Sequence, residues 1–87
     1  MSESARPQLT PTQWVVLERV AAGEDNATIA VALGLTPKAV KNHLTRIARQ
    51  LPRDSALSRR AAFSAWYRRE GHVYHEEARR GRDGPDT

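Results

Sequence analysis

Two residues, Gly34 and Leu35, separate one short apolar-striped segment from the next, and this spacing limits the fold more than any other feature of the 87-residue chain. Ahead of the pair, Ile29, Ala30 and Leu33 recur at helical intervals behind Asp25, a residue able to accept a hydrogen bond from a first-turn amide. After it, Thr36 is a second cap, and Pro37 suits the first helical position, where a missing N–H costs nothing. So short a connection demands a tight turn, with Gly34 as the residue free to take a positive φ. The grammar is that of a helix-turn-helix; an ordinary helical hairpin in an all-α bundle shares the spacing.

The segment from Thr36 to Leu51 divides into two faces. Val40, Leu44, Ile47, Ala48 and Leu51 fall on one side at 3.6 residues per turn, and Lys38, Asn42, Thr45 and Arg49 on the other, flanked by Lys41 and Arg46. An exposed face that mixes cations with amide and hydroxyl groups suits a DNA major groove, because phosphates attract the cations and base edges need directional donors and acceptors. The plainer alternative is a solvated amphipathic helix. In a helix-turn-helix the second helix enters the groove by its N-terminal half while the first braces it, which favours the DNA reading.

Toward the start, residues 1–8 read as a short polar, flexible arm. Thr10, Pro11 and Gln13 form a capping box, and Leu9 with Trp14 has the spacing of a hydrophobic staple. The first helix is therefore predicted over 11–22, with Trp14, Leu17, Val20 and Ala21 inward and Gly23 as its stop. After Leu51, Pro52 and the turn-forming Arg53, Asp54 and Ser55 end the basic helix. A fourth helix is predicted over 58–70, with Ala62, Phe63, Trp66 and Tyr67 on its apolar side and Arg59, Arg60, Arg68 and Arg69 in water. Phe63 and Trp66 serve either the core or a two-fold contact between chains. Gly71 is expected to break the helix, leaving 71–87 as a partly disordered extension.

The net charge of +4 is uneven. Residues 1–35 carry two basic and four acidic groups, and the remainder carries twelve basic and six acidic ones. Such a field attracts nucleic acid or an acidic surface. The absence of cysteine excludes disulfides and thiolate metal sites. No apolar run approaches the roughly 20 residues that span a bilayer, and residues 1–8 lack the apolar core of a signal peptide, so a cytosolic protein with no membrane partner is expected. His72 and His75, three apart and next to Glu76 and Glu77, lack the spacing of a zinc protease motif and read as a surface pair. With no phosphate-cradling loop, nucleophile elbow or paired carboxylates, neither an enzyme nor a cofactor is expected.

Leu9-Thr10-Pro11, Ala22-Gly23, Asn26, Ile29-Ala30, the run Leu33 to Pro37, and Val40-Lys41-Asn42-His43-Leu44 with Ile47 and Leu51 together resemble the LuxR-type (GerE-like) DNA-binding domain. The resemblance is close over 9–51 and looser to Trp66. It implies an all-α, four-helix domain over 9–70, from a family of bacterial transcription regulators whose third helix reads the major groove and whose fourth often pairs two subunits. By position it implies base contacts from Lys41, Asn42 and Thr45, and phosphate contacts from Thr36, Lys38, His43, Arg46 and Arg49. It also implies dimer or partner contacts from Phe63, Trp66 and Tyr67. His43, at the margin of the apolar face, reads equally as a packing residue. Thr28 stands where the family usually has a capping glutamate, Ala39 replaces a threonine, and the connection 52–57 is longer than the family's glycine turn.

The expected function is sequence-specific binding of double-stranded DNA by a stand-alone regulator, a homodimer whose activity is set by concentration, dimerisation or a partner. The alternative is a module of the same fold that docks on RNA polymerase or another regulator.

Overall fold

The computed structural model describes residues 7–53 and 55–82, and every regular element among them is helical. α1 (Pro11–Ala21) is opened by the expected capping box. Thr10 Oγ1 accepts from the Gln13 amide at 3.1 Å, and Gln13 Oε1 accepts from the Thr10 amide at 3.0 Å, so two amides with no helical partner are satisfied reciprocally. This helix is the hub, touching each of the elements that follow. Val16 and Leu17 on its inner side are completely buried.

α2 (Asn26–Leu33) is capped by Asp25, whose carboxylate accepts from the Thr28 amide at 2.8 Å. That backbone hydrogen bond favours the ionised acid and holds Asp25 below the usual carboxylate range. The helix closes at Gly34, with φ 69° and ψ 33°, and the Leu35 amide reaches back to the Ala30 carbonyl at 2.8 Å. α3 (Pro37–Ala48) begins two residues later, with Thr36 Oγ1 accepting from the Ala39 amide at 3.0 Å. The helix stops short of Leu51, yet Leu51 is buried from the turn that follows.

The last helix departs most from expectation. α4 (Arg59–Trp66), capped by Ser58, runs without interruption through a wider-wound π segment at Tyr67–Gly71 into α5 (His72–Arg82). Within the π segment the His72 amide bonds to the Tyr67 carbonyl, five residues back. Gly71, expected to end the helix, lies inside it, and the Trp66 indole occupies the space a side chain there would take. A Cβ at position 71 would sit 2.7 Å from Trp66 Cε3. The continuation is held by burial. Trp66 stacks on Trp14 and Tyr74 with centroids 6.2 Å apart in both cases, and His75 stacks on Trp14 at 5.3 Å. His75, expected at the surface, is only 3% exposed, and its Nδ1 lies 2.7 Å from the Tyr67 hydroxyl. The extension, expected to be only partly ordered, is thus helix as far as Arg82, and residues 83–87 lie outside the described residues.

One core cluster joins Trp14, Val16, Leu17, Val20, Ile29, Val40, Leu44, Ile47 and Leu51 to Phe63 and Trp66. Of the four arginines expected in water, Arg60 is half-buried and anchored, and Arg68, exposed as expected, is anchored as well. Arg60 donates to Asn26 Oδ1 at 2.8 Å and to the Glu24 carbonyl, while Arg68 donates to the Ala21 carbonyl at 2.7 Å. Ser64 between them donates to the Val20 carbonyl at 3.3 Å. The last carbonyls of α1 carry the negative end of its dipole, which favours the Arg68 guanidinium at Ala21, while Arg60 reaches past the helix end to Glu24 and Asn26.

Candidate nucleic-acid interface

α3 is held on both sides. Its apolar row of Val40, Leu44 and Ile47 is buried against α1 and α2, and the two-residue turn ties its first turn to the end of α2. Burying that row fixes the rotation of the helix, which decides which side chains face outward. Thr36, Lys38, Lys41, Asn42, Arg46 and Arg49 are exposed, while His43 and Thr45 are partly so. Seven of these eight side chains lie along Lys38–Arg49, and Thr36 sits at the helix cap.

The electrostatic state of this face is informative. Among the described residues, no carboxylate pairs with Lys38, Lys41, Arg46 or Arg49; the ion pairs lie at Arg19–Glu24, Arg69–Glu70, and between Glu76 and both Arg79 and Arg80. Four cations therefore stand on one face without a carboxylate partner among the described residues. Thr36 spends its oxygen lone pair on the cap and keeps its hydroxyl proton for an outside acceptor. The Thr45 hydroxyl donates to the Lys41 carbonyl at 3.2 Å. His43 Nδ1 is buried with no hydrogen-bond partner among the described residues, so an outward hydrogen bond from this ring must come from Nε2.

The expected dimer contacts fare differently. Phe63 and Trp66 are each 5% exposed and belong to the core of their own chain, which leaves them little surface for a contact between chains. A four-helix domain this small has too few large apolar side chains to leave two aromatics outside. Tyr67 is half-buried beside His75. Burial, with Glu18 nearby, pushes its phenol up to about 12.

Sequence reasoning did not find the anchors that brace this interface from behind. Arg60, Ser64 and Arg68 form a row at four-residue spacing beside the apolar stripe, pointing at a helix end marked by Gly23. Such a row next to a neighbouring helix terminus is a readable signal. Arg60 matters most, because it binds Asn26 at the start of α2 and so fixes the helix against which α3 rests.

The arrangement defines a class: a helix-turn-helix domain that presents a basic, hydrogen-bonding helix. The sequence model of GerE, described as bacterial regulatory proteins, luxR family, matches residues 7–60. The chain belongs to that family, whose shared domain is a DNA-binding unit of transcription regulators. The match covers α1 to α3 and the first two residues of α4. No curated protein and no solved structure matches the chain. Among the described residues no helix is long and apolar enough to cross a membrane.

Proposed function

We propose that the protein is a sequence-specific regulator of transcription that lays α3 in the major groove of double-stranded DNA and acts in the cytosol as a homodimer on a two-fold site. The observation that carries this reading is the unpaired face of α3. Lys38, Lys41, Arg46 and Arg49 lack carboxylate partners among the described residues, and Asn42 stands among them on a helix whose rotation is set by a buried row. Lys41, Asn42 and Thr45 are the proposed base contacts, and Thr36, Lys38, His43, Arg46 and Arg49 the phosphate contacts. With Phe63 and Trp66 in the core, we assign the pairing surface to the outward row Ala61, Ala65, Arg69 and Val73; Val73 is 48% exposed. A strictly monomeric mass in sedimentation at high micromolar concentration, with and without DNA, would exclude the dimer.

A second reading is favoured by one feature. A groove of about 270 Å³ lies between the end of α3 and the start of α4, with Leu51, Leu57, Ala62 and Phe63 along it and Arg53 and Arg59 at its rim. Such a groove suits docking on RNA polymerase or another regulator. Titration of labelled duplexes at low and moderate salt separates the two. The regulator keeps a preferred sequence at moderate salt; the docking module binds every duplex weakly and alike, and that result would overturn the DNA reading.

A further inference from the structure

The Thr45 hydroxyl is turned back along its own helix, donating to the Lys41 carbonyl one turn earlier at 3.2 Å. Threonine carries two heavy atoms on Cβ, and in a helix its oxygen readily makes this bond to the carbonyl four residues before it. With the hydroxyl proton engaged at the backbone, the side chain has no donor left for a base, and the γ-methyl is the apolar group it can offer. Among the four bases, only thymine presents an apolar group, the C5-methyl, on its major-groove edge. We infer that Thr45 reads a thymine, methyl against methyl, and does not donate a hydrogen bond to a base; the inference rests on the proposed insertion of α3 into the groove.

The alternative use of Thr45 is the more demanding one. To donate its hydroxyl proton to a base, the side chain must give up the Lys41 carbonyl and change rotamer, whereas methyl contact needs no rearrangement. The chemistry also divides sensibly along the face. Lys41 and Asn42 are exposed and supply the charged donor and the carboxamide that guanine and adenine edges accept. Thr45, one turn further on, is less exposed and supplies the apolar element that those two lack.

The test begins with selection of bound duplexes from a random pool by the unaltered protein. Each thymine of the enriched motif is then replaced by uracil, which removes only the C5-methyl. Burial of a methyl group is expected to be worth about 4-fold in affinity at one such thymine. T45V, which keeps the methyl and loses the hydroxyl, should keep that discrimination; T45S, which keeps the hydroxyl alone, should bind the thymine and uracil duplexes equally. Cytosine and 5-methylcytosine placed at the same position test the methyl a second way with the unaltered protein. A motif whose uracil scan is indifferent to Thr45, or one in which T45S discriminates and T45V does not, overturns this inference and leaves groove reading standing. Failure to enrich any motif ends the DNA reading itself and this inference with it.

Discussion

On α3, Lys38, Lys41, Arg46 and Arg49 meet no carboxylate of the described chain, whereas on the C-terminal helix Arg60 and Arg68 end on backbone carbonyls and Arg69, Arg79 and Arg80 pair with Glu70 and Glu76. The two helices carry the same kind of charge and put it to opposite uses. A guanidinium that caps a helix end is part of the fold, and its removal is felt in stability. A cation left in water contributes little to the fold, and its removal is felt when a polyanion arrives. Loss of charge should therefore separate the two helices by phenotype.

The largest expected effect lies on the C-terminal helix. Glycine to alanine inside a helix is ordinarily favourable by about 1 kcal/mol, yet Gly71→Ala should destabilise by about 1 to 3 kcal/mol, because the new methyl enters the space of the Trp66 ring. Urea unfolding followed by tryptophan fluorescence reads the sign directly, and a stabilised variant would contradict the packing described for Trp66. On α3, Lys41→Ala should leave unfolding within about 0.5 kcal/mol of the parent. The same change should weaken binding to the preferred duplex by about 1 to 3 kcal/mol and relax one base pair. Arg46→Ala should instead weaken all duplexes alike and lower the salt slope by about one unit.

Arg68→Ala is the matching test on the other helix. Losing the bond to the Ala21 carbonyl should cost about 1 kcal/mol of stability, with affinity per folded molecule unchanged. A loss of affinity at full folding would blur the division between the helices. The smallest effect concerns Tyr67, pushed from the ordinary 10.0 up to about 12 by burial and the nearby Glu18, with Arg79 opposing. Its folded value lies above its unfolded one, so the stability carried by the neutral phenol is intact below pH 10 and declines as pH rises toward 12. Chemical unfolding across that window should show the decline in the parent and a flatter profile in Tyr67→Phe.

The region around the turn was legible because its signals are local. Thr10, Asp25 and Thr36 each accept the amide three residues on, and Gly34 takes the left-handed conformation that a two-residue connection needs. The faces of α3 followed from the spacing of Val40, Leu44 and Ile47. The C-terminal helix was misread where the decisive partner lies far off in the chain. Gly71 has the local appearance of a stop, and only the stacking of Trp66 and His75 on the distant Trp14 explains why the helix continues past it. His75 has the local appearance of a surface residue, and only Trp14, sixty-one positions earlier, gives it a place to be buried. Phe63 and Trp66 were ambiguous for the same reason, since an apolar stripe does not state whether its partner belongs to the same chain.

Amide NMR of the labelled protein during addition of a preferred duplex tests the central claim most directly. The account predicts that the largest shifts fall along Lys38–Arg49, strongest in its N-terminal half around Lys41 and Asn42, with smaller shifts on the C-terminal helix along the pairing row Ala61, Ala65, Arg69 and Val73. Shifts concentrated on the C-terminal helix, with α3 unmoved, would contradict it.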